Sequence, residues 1–146
     1  MAREDFRLRH ELRVRWSEVD PQGIVFNPNY LMYFDVGVTE YWREIGYVYP
    51  EAFHGLGVDT FAVSAKLDFK APARYDDLLE VLMRTARLGR TSLRVLCEIH
   101  RRDQMLVSGE LTYVIASLAE RRATPIPDGL IRAVLEYEKT SPERAP

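Results

Sequence analysis

The sequence predicts an α+β domain in which a curled antiparallel sheet of five or six strands wraps around one long central helix. Three observations carry this expectation. The stretch from Asn27 to Gly46 has helix start and stop signals and apolar residues around most of its circumference. Five segments alternate apolar and polar residues with a period of two, one before that helix and four after it. The later four are joined by short turns, the pattern of neighbouring antiparallel strands. A helix this apolar has to be covered on most sides, and a curled sheet is the natural cover.

The first strand is expected over Phe6–Trp16, with Phe6, Leu8, His10, Leu12, Val14 and Trp16 facing inward and arginines and Glu11 facing out. His10 reads as a hydrogen-bonded core residue. Asp20-Pro21-Gln22-Gly23 fits a type I turn, with Asp, Pro and Gly at its first, second and fourth places. Asn27-Pro28 reads as N-cap and first helical residue, and Phe26 and Leu31 stand where a hydrophobic staple would. Along the helix Tyr30, Phe34, Gly37, Tyr41 and Ile45 share a face with Leu31, Val38 and Trp42 beside them, and Gly46 stops it. Tyr47–Gly57 is a loop, either a lid or a packed connection. The next strand places Phe61, Val63, Ala65, Leu67 and Phe69 opposite Ser64 and Lys66. Two strands through Leu79–Thr85 and Leu93–Ile99, with Cys97 in the core, precede a last one over Met105–Ser117. Pro127-Asp128 opens a short amphipathic helix, and the tail, about 139–146, is expected to fray.

The chain of 146 residues suits a single domain spanning 1–146. A formal charge of −2 gives no reason to expect nucleic acid, although 17 of the 20 basic residues are arginine, the side chain best shaped for gripping phosphate. One cysteine, no apolar signal segment and no run long enough for a membrane span point to a cytoplasmic location away from membranes. No His, Cys and carboxylate cluster has metal-ligand spacing, and no Gly-rich phosphate loop is present.

The chemistry gathers at the start of the long helix. Backbone N–H groups and the positive end of the helix dipole collect around Asn27–Tyr30, with the Asp20 carboxylate just upstream. On the residues alone, Asp20 is first of all a turn former. The run RVRWSEVDPQGIVFNPNYLMYFD, Arg13 to Asp35, changes that, because it resembles the signature of the 4-hydroxybenzoyl-CoA thioesterase family of hotdog-fold acyl-CoA thioesterases. The likeness is densest from Asp20 to Tyr30. It departs at Asn27, where relatives often carry Tyr or His, and near Val38, where many carry Arg.

The resemblance implies a hotdog fold and hydrolysis of an acyl- or aryl-CoA thioester, with Asp20 as nucleophile or general base. It implies an oxyanion hole from the backbone of Asn27 and Gly23, and substrate contacts from Asn29, Tyr30 and Ser64. The segment Arg84–Arg94 matches the family's region for nucleotide contacts and brings in Arg87, Arg90 and Thr91. Asp35 and Glu40 are lesser candidates, since some hotdog thioesterases use a helix carboxylate. Coenzyme A enters as part of the substrate, with no separate cofactor and no metal. A homo-oligomer, dimer or tetramer, is implied as well. Two rival functions remain. A non-catalytic acyl-thioester binding module would keep only the pocket, and a hydroxyacyl-thioester dehydratase would need a His near a carboxylate, a spacing that His10, His54 and His100 do not show in sequence.

Overall fold

The computed structural model describes residues 2–145. Strand β1 (Leu8–Arg13) leads through a tight helical turn at Trp16–Glu18 to the long helix α1 (Pro28–Glu44). The one-turn helix α2 (Glu51–His54) follows, then strands β2 (Val58–Phe69), β3 (Leu78–Leu88), β4 (Ser92–Arg101) and β5 (Gln104–Ser117). Helix α3 (Asp128–Tyr137) and the two-residue strand β6 (Glu143–Arg144) end the chain. The sheet runs in the order β1-β3-β4-β5-β2 with every neighbour antiparallel, and β6 lies parallel to β3. No helix is long and apolar enough to cross a membrane among the described residues.

The long helix sits where its pattern predicts. Tyr30, Tyr33, Phe34, Gly37, Val38, Tyr41 and Trp42 are buried at helical spacing and join Leu79, Val81, Met83, Val95, Ile99, Leu111 and Ile115 of the sheet in one core. Burial is not all round, however. Leu31, Met32 and Val36 remain exposed, and so does Phe26, so the expected staple between Phe26 and Leu31 is not a buried contact. Helix and sheet approach closely at Gly37. A Cβ there would stand 2.8 Å from Val81 Cγ1 and 3.1 Å from Met83 Cε, closer than carbon atoms pack.

Several expectations are corrected. The first strand is Leu8–Arg13 and not Phe6–Trp16. Trp16 leaves the inward stripe for the helical turn, where it is 75% exposed and meets Tyr75 edge-on. His10 is half-buried. In β2 the pairing shifts between Ala62 and Ser64, and an extra residue of this kind reverses which side chains face inward. The alternation from Phe61 to Phe69 therefore does not lie on one buried face. β2 is also an edge strand of the sheet, leaving Phe61, Val63 and Phe69 at 49%, 60% and 56% exposure. The Tyr47–Gly57 segment is a packed connection, since Phe53 is fully buried with its ring against Trp42, Tyr47 and Tyr49. Cys97 is buried as expected, and that burial pushes its thiol pKa up.

The tail is not loose within the described residues. β1 pairs with β3 only as far as Met83, which leaves that flank of β3 open beyond it. Glu143 and Arg144 occupy the gap opposite Arg87 and Leu88, and the Ala145 N–H donates to the Leu88 carbonyl at 3.0 Å. Just before them, buried Glu138 accepts hydrogen bonds from the Tyr41 hydroxyl (2.6 Å) and the Thr85 N–H (2.7 Å). Unpaired strand edge and buried polar groups both favour docking the tail.

The Gly37 contact yields a stability prediction. Gly37→Val forces side-chain bulk into a space already filled by Val81 and Met83 and should cost about 1–3 kcal/mol. A thermal melt should show a clear fall in Tm, and an unchanged Tm would contradict this helix–sheet approach.

Candidate active site

The Asp20 turn is a three-residue hairpin loop. Asp20 N–H donates to the Ile24 carbonyl, Gly23 N–H donates back to the Asp20 carbonyl, both at 2.9 Å, and Val19 bridges Val25. Gly23 has φ +80°, the left-handed conformation that a type I turn followed by a bulge requires at this position. The Asp20 side chain also bonds its own backbone, with Oδ1 accepting the Gln22 N–H at 2.8 Å. Oδ2 accepts nothing from the described residues. One oxygen thus fixes the carboxyl group while the other is available.

Two sets of tethers hold this hairpin against the rest of the fold. On one side Ile24 bridges Arg74, Val25 N–H donates to the Ala73 carbonyl, and Ala73 N–H donates to the Tyr30 hydroxyl at 3.0 Å. Tyr30 is therefore a structural anchor as well as a wall of the site. Burial raises its pKa, and the nearby Asp20 and Asp77 charges add to the rise. On the other side stands Glu18, only 5% exposed, which the sequence did not single out. Its carboxylate accepts from Arg15 N–H (2.8 Å), Arg15 Nε (2.9 Å) and the Tyr33 hydroxyl (2.9 Å). Burial alone would raise its pKa, but the Arg15 and Tyr33 hydrogen bonds outweigh that and lower it from the ordinary glutamate value. With the folded-state value depressed, the stabilisation is present at neutral pH and is lost as pH falls through that value. An acid two residues before the turn and three after an arginine was the available signal.

The helix start differs from the expected cap. Asn27 is itself helical (φ −55°, ψ −34°) and its side chain caps nothing. Asn29 N–H donates to the Phe26 carbonyl at 2.8 Å, Tyr30 N–H to the Asn27 carbonyl at 3.2 Å, and Pro28 has no N–H. The Asn27 N–H is left without an acceptor among the described residues. Gly23, expected to share the oxyanion role, has its N–H committed to the turn. Asn29, expected to meet substrate, donates through its side-chain Nδ2 to the Glu18 carbonyl at 2.9 Å.

Beside the hairpin is a hollow of about 290 Å³ lined by Ile24, Val25, Asn27, Tyr30, Phe69 and Pro72, with Lys70 and Ala71 at the wall. Its surface is largely apolar, and the rings of Tyr30 and Phe69 stand 5.6 Å apart. Phe69 ends the edge strand β2, so the hollow opens at that edge of the sheet. Ser64 lies five residues back along that strand, paired with Thr112. Arg87, Arg90 and Thr91 are far away within one chain. Arg74 and Asp77 place the start of β3 at the Asp20 end, whereas the Arg90-Thr91 turn follows its other end, roughly 33 Å along the strand. Asp35 is exposed and borders a separate hollow of about 190 Å³ with Thr39, Trp42 and Tyr113. Glu40 pairs with Arg43. The structure does place two histidines beside carboxylates, His54 with Asp59 (2.9 Å) and His100 with Glu98 (2.7 Å). The first pair lies past the far end of α1, and neither lines the hollow.

A family profile described as the thioesterase superfamily matches residues 22–108. The chain belongs to that family. The matched span begins two residues after Asp20 and covers α1, α2, β2, β3, β4 and the start of β5, leaving β1 outside it. Among individual proteins, the chain is 35% identical over 78 residues to a putative esterase of Aquifex aeolicus, covering 53% of this chain and 60% of the relative. It is 26% identical over 124 residues to a 1,4-dihydroxy-2-naphthoyl-CoA hydrolase of Synechococcus, covering 82% and 83% of the two chains. The chain therefore spans about three fifths of the length of the Aquifex relative. The crystal structure of a hypothetical protein from Thermus thermophilus superposes with a TM-score of 0.83 at 25% identity, over 90% of this chain and 100% of that one. With these likenesses the expected hotdog thioesterase fold is established.

Proposed function

We propose that this thioesterase-superfamily chain hydrolyses an acyl- or aryl-coenzyme A thioester to a free carboxylate and coenzyme A at the Asp20 turn. One juxtaposition carries the reading: Asn27, its N–H unengaged, lines an apolar hollow whose Ile24 and Val25 belong to the same hairpin that holds Asp20 with one carboxylate oxygen unengaged. Thioester hydrolysis needs a nucleophile at the carbonyl carbon and a donor for the oxyanion that forms there. Asp20 supplies the first in one of two ways. Its carboxylate attacks the carbonyl carbon and expels the thiolate, leaving a mixed anhydride that water opens, or it takes a proton from a water that attacks instead. The Asn27 N–H supplies the second, a role whose loss typically costs about a hundredfold or more in rate. Tyr30 and Phe69 form a wall suited to an aryl or medium acyl group, which agrees with the naphthoyl-CoA hydrolase among the relatives.

The active unit is proposed to be a homo-oligomer paired along β2. That strand is a long free edge with apolar side chains exposed, a surface that invites a second copy. An antiparallel pair about a two-fold axis sets the Val58 end of one copy beside the Phe69 end of the other. The β3–β4 turn lies at the Val58 end, since Ser92 and Val58 pair with Val114 and Ser117 of β5. Pairing thus carries the partner's Arg90 and Thr91 toward this chain's Asp20 end, where coenzyme A phosphates need cations.

Two measurements test these readings. In a thiol-release assay over aryl-, short-, medium- and long-chain acyl-CoAs, one class should turn over well, and Asp20→Asn should lower its rate at least about a hundredfold with the fold intact. Near-wild-type turnover by that variant would remove Asp20 from the chemistry. Sedimentation equilibrium should find a dimer or larger, with Val63→Lys shifting it toward monomer and lowering activity; an active monomer would refute the paired site.

A further inference from the structure

We infer that Glu18 is a positioning residue for the Asp20 turn, a role that rests on the thioesterase reading above and deepens it. The argument begins with an energetic oddity. A carboxylate that is 5% exposed is costly to bury, and a packing role at this place could be filled by an apolar side chain. The charge is retained in a geometry in which Arg15, three residues earlier, braces the carboxylate and Tyr33 joins it to the helix. Arg15 Nη2 approaches Oε2 at 2.8 Å and Arg15 Nε at 2.9 Å, so the guanidinium forks onto one oxygen. The other oxygen takes the Arg15 N–H and the Tyr33 hydroxyl. Tyr33 is buried in the second turn of α1, so the carboxylate ties the segment leading into the hairpin directly to the helix.

The backbone of the same residue completes the clamp. The Glu18 carbonyl accepts the Phe26 N–H and the Asn29 Nδ2, both at 2.9 Å. Residues 18 and 26 bracket the hairpin that carries Asp20, and Asn29 belongs to the first turn of α1. Glu18 therefore sets two distances at once: the closure of the loop bearing the Asp20 carboxylate, and the position of that loop against the helix start bearing the Asn27 N–H. Neither Asp20 nor Asn27 bonds the other, so their mutual placement passes through this clamp and through the Tyr30–Ala73–Val25 tether on the opposite side. Misplacing a reacting group by about 1 Å can cost on the order of a hundredfold in rate.

Glu18→Gln tests the assignment. The amide keeps the size of the side chain but places a donor against the Arg15 donors, which loosens the clamp. The expected result is a fall in kcat of about tenfold to a hundredfold, with KM within about twofold of wild type. In an Asp20→Asn background the same change should produce no further loss, because a residue that acts only by placing Asp20 has nothing left to place. A merely structural role would lower the residual activity of Asp20→Asn as much as that of wild type, and that outcome overturns the inference. A wild-type kcat for Glu18→Gln beside a dead Asp20→Asn also overturns it while leaving the thioesterase reading intact. An active Asp20→Asn overturns both. If Glu18→Gln does not fold, Tyr33→Phe, which removes one bond and keeps the charge, carries the same double-variant test, with the same pattern expected at smaller size and additive losses counting against it.

Discussion

The close approach of the central helix to β3 at Gly37 is the constraint on which the other features depend. With no side chain at that position, the helix settles onto Val81 and Met83, and Phe34, Val38 and Tyr41 reach the core on either side. A helix pressed this close fixes where its first turn ends up. That turn then lies beside the Ala71–Ala73 segment leading from β2 to β3, and the Tyr30 hydroxyl can take the Ala73 N–H. The site is thus a by-product of core packing at one end of the helix, with polar tethers adding the finer placement.

Those tethers divide the work. Apolar packing is short-ranged but non-directional, and it brings the hairpin and the helix start into the same neighbourhood. Hydrogen bonds are directional, and here they set which groups stay free. Gln22, Gly23, Asn29 and Tyr30 all have their N–H groups taken up locally, whereas Asn27 does not. A donor that the fold leaves unmatched beside an apolar hollow suits a ligand oxygen, and it is this selection that separates Asn27 from its neighbours.

Much of this was legible in the residues, and the failures have physical causes. Helix α1, the later strands and the turn at Asp20 follow from periodicity and turn chemistry, both local properties. What periodicity cannot report is whether a face is covered. The alternation in β2 is real, but a bulge and a free edge turn part of its apolar stripe outward. Trp16 continued the β1 pattern only until the chain bent into the turn at Trp16–Glu18. The tail looked unstructured because its partner is a gap on β3, visible only once β1 is seen to end short. At the site, Asp20 and Asn27 were found from motif and helix-start chemistry. Glu18 was missed because its role depends on a tyrosine fifteen residues away and on its own carbonyl. The histidines paired with carboxylates were missed for a similar reason, since His100–Glu98 depends on strand burial and His54–Asp59 on a one-turn helix.

The central claim is that a thioester carbonyl sits between the Asp20 carboxylate and the Asn27 N–H. A crystal structure of the Asp20→Asn variant holding an unhydrolysed acyl-CoA tests it most directly. The account predicts the carbonyl oxygen about 3 Å from the Asn27 nitrogen, the acyl group against Tyr30 and Phe69, and the carbonyl carbon facing residue 20. A thioester lodged elsewhere, such as against Asp35 with the Asn27 N–H unoccupied, would contradict it.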